Sequence, residues 1–560
     1  MGQHFLHRVS GIGIVAATLL FVASLTPSMV PRGATAQGVL SGVCLGLGYA
    51  LGIGLRGAWR YLQLPRLPRP RAMEHLPTLL GLVGLVAVVS AVWLARPWQD
   101  SVRQVMGLPP VDGPYSLRLL LVAFATFAVL LLIGRGLVLL ARATARRARR
   151  VMPVRVANAL AVAVVAVLVF FVANGVILRG LLHVADASFR QADALLPPEG
   201  QAPVSDRVTG GPGSLIAWED LGRAGRDFIT NGPSQADIAQ MAGGQAQAPI
   251  RVYVGLPAGP DARSRARLAL RELQRVGGFD RSILVVITPT GTGWVDPAAI
   301  DSLEYLQRGD VASVAAQYSY LSSPLSLLVE PELGEESARA LFAEVYGYWR
   351  TLPKAHRPRL YLHGLSLGAM NSERSLDLFD VIEDPIDGAL WSGPPFASRH
   401  WRAITRARNA GSPEWLPAFR DGRFVRFMNQ HGGPVPPQAP WGRARVVYLQ
   451  YASDAITFFS PHDAWRAPDW MEAPRGPDVS PQLRWYPLVS MSQFALDMML
   501  ADDAPMGYGH VFAPSHYVPA WRGVLGDDDW SGAELQHLQQ QLDAKRREAI
   551  ARRRNATGGG

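Results

Sequence analysis

Three residues of this chain have the types and the order that nucleophilic catalysis requires: Ser366, Asp454 and His510. Ser366 is the central residue of Gly-Leu-Ser-Leu-Gly at 364–368, which matches the pattern G-x-S-x-G. A short apolar run at 359–363 precedes this pattern, and a segment able to form a helix follows it. A strand that turns directly into a helix holds a serine in a strained conformation, with its hydroxyl above the sheet. The pattern therefore predicts a serine nucleophile, and the alternative is glycine and serine in an ordinary turn.

A serine nucleophile needs a base, and the base needs a carboxylate that orients it. Asp454 follows an apolar run at 445–450, so we expect it at the carboxyl end of a strand, where loops of such folds form sites. Asp384, Asp387 and Asp502 are weaker candidates, because none follows a strand end as directly. Asp454 is therefore predicted to be the acid, and a surface aspartate in a turn is the alternative.

The candidate base is His510, which lies in Met-Gly-Tyr-Gly-His-Val-Phe at 506–512. The glycines beside it permit a close approach to another backbone. His516 and His462 compete with it for this role, whereas His363, just before the serine motif, is predicted to be a packing residue. The order serine, aspartate, histidine is the one found in α/β-hydrolases.

Acyl transfer also requires hydrogen-bond donors for the developing oxyanion, each worth about 3 kcal/mol. The N–H of Leu367, directly after the serine, is the first candidate. The second is predicted in Pro-Thr-Gly-Thr-Gly-Trp at 289–294, where glycines leave backbone amides exposed, and Gly291 or Thr292 is the expected donor. A phosphate-binding turn is the alternative, but the Lys-Ser/Thr of a P-loop is absent.

The elements that would position these residues alternate between strand and helix, which predicts a mostly parallel, doubly wound sheet with helices on both faces. Between Asp454 and His510 the sequence predicts a further strand at 484–489 and a helix at 491–500. The other predicted strands are 250–256, 282–288, 311–318, 359–363, 388–392 and 445–450, and the clearest helices are 262–276 and 335–352.

The first third of the chain carries most of the apolar excess of a sequence that is 49% hydrophobic. About five apolar segments are each near the length that crosses a bilayer as a helix. They predict an α-helical transmembrane bundle, and a buried helical domain is the alternative. The only cysteine, Cys44, lies in one of them, so a disulfide within the chain and a cysteine-based metal site are excluded; we predict no metal and no cofactor. The segments are 9–27, 38–55, 76–94, 117–133 and 157–178.

The arginine distribution predicts the orientation of these segments. Loops 56–71 and 142–155 are rich in arginine, and such loops stay in the cytoplasm. With five spans, the amino terminus is then cytoplasmic and everything after the fifth span is extracytoplasmic. Because most of the strongest arginine clusters flank apolar segments, the isoelectric point of about 9.9 does not indicate nucleic-acid binding. Transport is not expected either, since the apolar cores contain no acidic residue or lysine.

Three features of the chain each leave two interpretations open. Small residues four apart let helices approach closely, so the glycines of the second segment form either a homo-oligomer face or a packing surface within the bundle. The aromatic and arginine residues at 394–440 either meet lipid or form the small core of a cap. The basic helix at 534–554 either attracts anionic lipid or is a solvated tail. The glycines in question are Gly38, Gly42, Gly46, Gly48 and Gly52.

The predicted organisation is a multi-span membrane domain at 1–180, a linker and packing segment at 181–247, a hydrolase domain at 248–530 and a basic helical tail at 531–560. Four stretches carry a resemblance to the membrane-anchored bacterial α/β-hydrolase family, whose amino-terminal region is a multi-span membrane domain. The stretches are Ser-Leu-Thr-Pro-Ser-Met-Val-Pro-Arg at 24–32, 289–297, 363–368 and Gly-His at 509–510.

The resemblance implies an α/β-hydrolase fold and serine-hydrolase chemistry, with Ser366 as nucleophile and no defined substrate. Together with the motifs it predicts a membrane-anchored enzyme of the bacterial cell envelope. We expect it to cleave a hydrophobic or lipid-borne carboxylic ester, as an esterase or lipase does, with the bilayer as its other partner. An acyltransferase using the same acyl-enzyme is one alternative. A non-catalytic envelope protein on a degenerate hydrolase scaffold is the other.

Overall fold

The structure is a computed structural model that describes residues 10–65, 75–172, 202–321, 325–326, 331–433, 439–526 and 530–557. Its contacts divide the chain into two compact units. The first, the amino-terminal unit, comprises residues 1–181 together with 459–471 and 477–500. The second, the sheet unit, comprises 182–458, 472–476 and 501–560. Residues 459–471 and 477–500, here termed the insertion, were predicted to lie within a hydrolase domain at 248–530.

Five apolar helices begin the amino-terminal unit. Four of them are long and apolar enough to cross a membrane, whereas α1 has 14 residues and is shorter than the predicted first span. The predicted end of the fifth span and the start of the linker, residues 173–201, lie outside the described residues, as do Arg66, Arg69 and Arg71. The helices are α1 (Gly11–Ser24), α2 (Ala34–Tyr61), α3 (Leu76–Val105), α4 (Tyr115–Ala148) and α5 (Val154–Phe171).

The glycines of α2 are used for packing within the chain. A Cβ on Gly42 would lie 2.6 Å from the carbonyl oxygen of Ala123 in α4, and one on Gly48 would lie 2.6 Å from the carbonyl oxygen of Ala16 in α1. Side chains there would force both neighbouring helices away. The contacts therefore agree with packing inside the bundle, while an oligomer face on α2 stays a prediction.

The outward faces of these helices are apolar. Trp93 is 79% exposed, and Leu82, Phe124 and Phe170 are also largely exposed. Large apolar side chains are rarely presented to water in such numbers, and lipid removes that cost. The four long helices therefore fit a membrane anchor.

The insertion contributes one further helix, α15 (Val489–Met499), to the same unit. The strand predicted at 484–489 is wrong. Trp485 donates its indole N–H to the carbonyl of Asp463 at 2.7 Å, and the N–H of Tyr486 donates to the hydroxyl of Ser490 at 2.8 Å. The backbone N–H of Tyr486 is a group that a neighbouring strand would otherwise satisfy, and the indole bond holds Trp485 against Asp463, so the apolar run leads into a helix instead.

The described residues of the sheet unit form seven strands in the order β1-β3-β2-β4-β5-β7-β6, and every neighbouring pair is parallel. The predicted parallel sheet is confirmed. The strands are β1 (Ile250–Val254), β2 (Ile283–Thr288), β3 (Val311–Ala316), β4 (Arg359–Leu365), β5 (Gly388–Ser392), β6 (Val425–Met428) and β7 (Arg445–Leu449).

The chain order of the strands creates a crevice at the carboxyl edge of the sheet. From β2 the chain crosses to β3 on one side and then returns to β4 on the other side of β2. In parallel sheets, ligands bind outside the carboxyl ends of strands at such a reversal. The loops after β2 and β4 therefore face each other across the expected binding crevice.

Helices cover the sheet, as its nearly continuous burial requires. Helices α8, α10 and α11 pack successively on one another, and α16 packs on both α9 and α17. The helices of this unit are α6 (Gly222–Thr230), α7 (Gln235–Ala242), α8 (Ala262–Arg275), α9 (Pro297–Leu306), α10 (Pro331–Thr351), α11 (Leu367–Ser375), α12 (Leu378–Val381), α13 (Arg399–Arg406), α14 (Ala455–Phe458), α16 (Pro514–Leu525) and α17 (Gly532–Thr557).

The aromatic region at 394–440 packs mainly on itself and on the sheet. Trp401 is buried and donates its indole N–H to the side chain of Gln450 at 2.7 Å. Phe427 is buried and stacks on Tyr448 with ring centroids 5.1 Å apart. Among the described aromatic side chains of this region, that of Phe424 is exposed, at 53%. The cap-core interpretation therefore accounts for most of these side chains.

Strand β6 in this region was not predicted from the sequence. Its four residues include Arg426, which interrupts the apolar pattern. In the fold the Arg426 guanidinium lies 3.7 Å from the ring centroid of Trp441, so the ring covers the charged group. A cation–π contact between residues on different segments therefore permits a strand that the local pattern does not indicate.

The basic carboxy-terminal helix packs on the sheet unit rather than standing free. Leu535, Leu538 and Leu542 are buried along one side of it. Arg546 lies 3.4 Å from the carboxylate of Asp296. These contacts differ from a solvated tail, which is one of the two interpretations that the sequence leaves open.

Candidate active site

Ser366 occupies a strained turn between β4 and α11. Its backbone has φ 57° and ψ −124°, and residues other than glycine rarely adopt a positive φ. A Cβ on Gly364 would collide with the backbone of Gly368, and one on Gly368 would collide with the carbonyl of Thr288. The two motif glycines are therefore required by close approach of strand, helix and the end of β2. This is the nucleophile-elbow geometry that the sequence predicts.

Strand register places the carboxyl ends of four strands level with one another. Thr288 of β2 pairs with Gly364, and Leu365 of β4 pairs with Ser392 of β5. Ser392 in turn pairs with Leu449 of β7. The residues that follow these strands therefore emerge at the same edge of the sheet, around the serine.

The structure brings Asp454 and His510 together. The Nδ1 atom of His510 lies 2.7 Å from Oδ2 of Asp454, and both side chains are buried. Asp454 also accepts hydrogen bonds from the N–H of Ile456 at 2.9 Å and from the Thr457 hydroxyl at 3.1 Å. These bonds fix the carboxylate, which in turn orients the imidazole.

The electrostatic environment favours a proton on His510. Burial lowers the pKa of His510, but the neighbouring carboxylates, that of Asp454 foremost, together outweigh burial, so the pKa of His510 is raised above its ordinary value. The Nε2 atom of His510 is buried and has no hydrogen-bond partner among the described residues. With Nδ1 bound to Asp454, Nε2 is the ring nitrogen that remains available for a further hydrogen bond.

One short segment, Ser392-Gly393, contacts both Ser366 and His510. The carbonyl of Ser392 accepts the backbone N–H of Ser366 at 3.0 Å. Gly393 has φ 48°, and a Cβ there would lie 2.6 Å from Cε1 of His510 and 3.0 Å from Oδ2 of Asp454. Sequence reasoning did not single out Gly393. Its signal was available, because Gly-Pro directly after a predicted strand marks a turn.

The loop after β2 is tied down by bonds to its carbonyls. The Nε2 of Gln317 donates to the carbonyl of Thr292 at 3.3 Å, and the Tyr253 hydroxyl donates to the carbonyl of Gly293 at 2.7 Å. Within the loop, the N–H of Gly293 donates to the carbonyl of Thr290 at 2.9 Å.

The two predicted oxyanion-hole positions flank the serine. Leu367 is the first residue of α11, so its N–H has no acceptor within the helix. Gly291 and Thr292 lie in the loop that begins where Thr288 contacts Gly368. The structure therefore brings both segments to the elbow, and the roles of Leu367, Gly291 and Thr292 as donors stay predictions.

The competing histidines have other partners. The Nδ1 of His516 lies 2.6 Å from the Tyr451 hydroxyl, and burial lowers the pKa of His516 to about 4. His462 belongs to the amino-terminal unit, where its Nδ1 lies 3.2 Å from the Ser460 hydroxyl. His363 is a buried core residue whose pKa burial lowers to about 4. Among these three histidines and His510, it is His510 that forms a hydrogen bond to a buried carboxylate.

The competing carboxylates also bind elsewhere. Asp384 forms ion pairs with Lys354 at 3.1 Å and with Arg357 at 3.3 Å. Asp387 accepts the N–H of Leu360 at 2.8 Å. Asp502 is near enough to His510 to contribute to raising its pKa, after the larger effect of Asp454. Among the described residues, no group of three or more His, Cys, Asp or Glu side chains is arranged to hold a metal ion.

Comparison with known proteins identifies the family. The sequence pattern of the alpha/beta-hydrolase family matches residues 250–538, which is more than half of the chain. A second pattern, described as "alpha/beta-hydrolase family N-terminus", matches residues 25–233. No curated protein and no solved structure matches the chain. The family match agrees with the seven-stranded parallel sheet and confirms the resemblance seen in the sequence. The chain belongs to the alpha/beta-hydrolase family.

Proposed function

We propose that the protein is a membrane-anchored serine hydrolase that cleaves carboxylic esters. Ser366 is the nucleophile, His510 the general base and Asp454 the residue that orients the base. The observation that carries this proposal is the 2.7 Å contact between His510 and Asp454, with Gly393 against the imidazole and Ser392 bound to the serine backbone.

The reaction follows from the proposed roles. The Oγ of Ser366 attacks the ester carbonyl carbon, while Nε2 of His510 takes the hydroxyl proton. The N–H of Leu367 and one from Gly291 or Thr292 stabilise the resulting oxyanion. The tetrahedral intermediate collapses, the alcohol leaves with the proton from His510, and an acyl-serine remains. Water, deprotonated by His510, then releases the carboxylic acid and restores Ser366.

The proposed substrate is a hydrophobic or lipid-borne ester, and the proposed location of the site is the outer face of a bacterial cell membrane. Four apolar helices precede the sheet unit in the chain, so an anchored enzyme would meet substrates that are themselves in or near a membrane. Arginine-rich loops between the helices support the orientation. The buried aromatics of 394–440 offer this proposal little support, and the membrane helices carry it.

The test is covalent labelling of the purified full chain with a fluorophosphonate probe, followed by mapping of the labelled peptide. We expect labelling at Ser366, and its loss in Ser366→Ala and His510→Ala proteins that remain folded. His516→Ala is the matched control for His510→Ala, because it removes a half-buried histidine from the same region without touching Asp454. Asp454→Asn should label more slowly than the unaltered protein, and Asp387→Asn is its matched control. Labelling of both controls is expected to stay close to that of the unaltered protein.

Labelling, together with turnover of an ester substrate, distinguishes the two alternatives. A non-catalytic scaffold would leave Ser366 unlabelled in folded protein. An acyltransferase would be labelled, but with added alcohol acceptors it would release more transfer product than free acid. Loss of labelling in His516→Ala, with His510→Ala fully reactive, would show that the base is assigned to the wrong histidine.

A further inference from the structure

A buried ion pair ties the insertion to the amino-terminal helices. Arg32, in the loop between α1 and α2, contacts Oδ1 of Asp497 in α15 through two guanidinium nitrogens, at 2.8 and 2.7 Å. Neither side chain is exposed. The Ser28 hydroxyl and the N–H of Met29, the latter at 3.0 Å, donate to the other carboxylate oxygen. Ser28, Arg32 and Asp497 are termed the clasp.

The clasp is specific in its geometry because its remaining polar groups are also bound. Arg32 donates from Nη1 to the side chain of Gln37 at 3.1 Å and from Nη2 to the carbonyl of Gln493 at 3.1 Å. The side chain of Gln493 donates to the carbonyl of Thr26 at 3.0 Å. A buried charge pair contributes little to net stability, but displacing one partner leaves an uncompensated charge. The network therefore selects one position for α15 on the amino-terminal helices.

The ends of the insertion lie next to the proposed catalytic pair along the chain. Just before the insertion, the N–H of Phe458 donates to the carbonyl of Asp454 at 3.1 Å. Just after it, the carbonyl of Ala501 accepts the N–H of His510 at 3.3 Å. The insertion thus begins directly after the helical turn that follows Asp454, and it ends directly before Ala501, whose carbonyl binds the backbone of His510.

We propose that the clasp is a positioning element for the Asp454–His510 pair, with Ser28, Arg32 and Asp497 as positioning residues for catalysis. Both ends of the insertion continue directly into the chain segments that carry the pair, so an insertion that is held in one conformation restrains those segments. Activity then depends on the clasp, although the clasp contributes no group to the reaction. This inference rests on the proposed function, because it assigns a role to the pair.

Two variants of the full chain weaken the clasp to different extents. Asp497→Asn removes the charge that Arg32 requires, and Ser28→Ala removes one donor while it leaves the ion pair intact. Glu304→Gln is the matched control, because Glu304 forms a buried ion pair with Arg251 at 2.6 Å in the sheet unit. It should perturb stability to a similar degree, since it also leaves a buried arginine without a charged partner, and it lies outside the insertion. If Asp497→Asn does not fold, Ser28→Ala supplies the measurement.

The first readout is the rate of fluorophosphonate labelling of Ser366 across pH. Asp454 raises the pKa of His510, with further contributions from Asp502 and Asp296. A loosened contact with Asp454 lowers that pKa. We therefore expect Asp497→Asn to slow labelling at least about tenfold and to move the acid inflection to lower pH, since a 1 Å displacement can cost about 100-fold. Ser28→Ala should show a smaller change in the same direction, and Glu304→Gln should keep the inflection.

The second readout does not require activity. Hydrogen exchange of the peptide spanning 501–512, measured by mass spectrometry, should rise at least about tenfold in Asp497→Asn and stay unchanged in Glu304→Gln, because exchange reports local opening. If the unaltered protein is not labelled at all, the proposed function fails while exchange still decides the clasp. Lower thermal stability with an unchanged inflection and unchanged exchange at 501–512 would overturn the proposal and leave the clasp as a folding element.

Discussion

The contact between Gly393 and the His510–Asp454 pair allows a test that leaves every proposed catalytic residue in place. In Gly393→Ala the new Cβ would lie 2.6 Å from Cε1 and 2.9 Å from Nδ1 of His510, and 3.0 Å from Oδ2 of Asp454. Carbon atoms in ordinary contact are about 3.5–4.0 Å apart. The imidazole therefore has to move by about 1 Å.

The expected cost follows from that displacement. A misplacement of about 1 Å reduces catalysis by about 100-fold. The positive φ of 48° at Gly393 adds about 1–2 kcal/mol of backbone strain for alanine, which lowers stability. The measurement is the rate of fluorophosphonate labelling at Ser366, made on protein whose thermal unfolding shows that it is folded.

The control for backbone strain is Gly243→Ala. Gly243 has φ 64° at the end of α7, and a Cβ there has nothing within 4 Å. Its variant should lose similar stability and keep the unaltered labelling rate. Labelling of folded Gly393→Ala at the rate of Gly243→Ala would refute the proposed role of His510, because the base could then not occupy the position seen here.

Three further predictions concern pH, orientation and substrate. Asp454 raises the pKa of His510, and the reaction needs neutral imidazole, so the rate should rise as pH increases through an inflection above the ordinary histidine value of about 6.5. In Asp454→Asn this inflection should move to lower pH. An inflection that does not move would belong to another group. A reporter fused after Thr557 should be extracytoplasmic and one fused within 142–155 cytoplasmic, while a cytoplasmic reporter at the carboxy terminus would mean that an even number of helices crosses the membrane. In a series of p-nitrophenyl esters and lipid esters, the rate should increase with acyl length and on presentation in detergent micelles; preference for short soluble esters without gain in micelles would exclude a lipid-borne substrate.

The parts of the fold that the sequence predicts well depend on neighbouring residues. The elbow follows from five consecutive residues, because strand, turn and helix propensities all act within a few positions of Ser366. The parallel sheet follows from apolar runs that alternate with helices, and six of its seven strands were predicted. The apolar helices likewise follow from composition along single segments.

The remaining features depend on residues that are distant along the chain, so only the tertiary structure decided them. The sequence left His510, His516 and His462 in competition, and what separates them is which side chain each meets: Asp454, Tyr451 or Ser460. The contact of Gly393 with His510 joins two loops that follow different elements.

The insertion shows the same division most clearly. Its residues predicted a strand, but Trp485 and Tyr486 found hydrogen-bond partners at Asp463 and Ser490 instead. Its helix is held by Arg32, 465 positions earlier in the chain. Local sequence determines which backbone conformations are favourable, whereas the pairing of buried charges and donors across the chain determines where each element docks, since each such group needs a partner that no local pattern specifies.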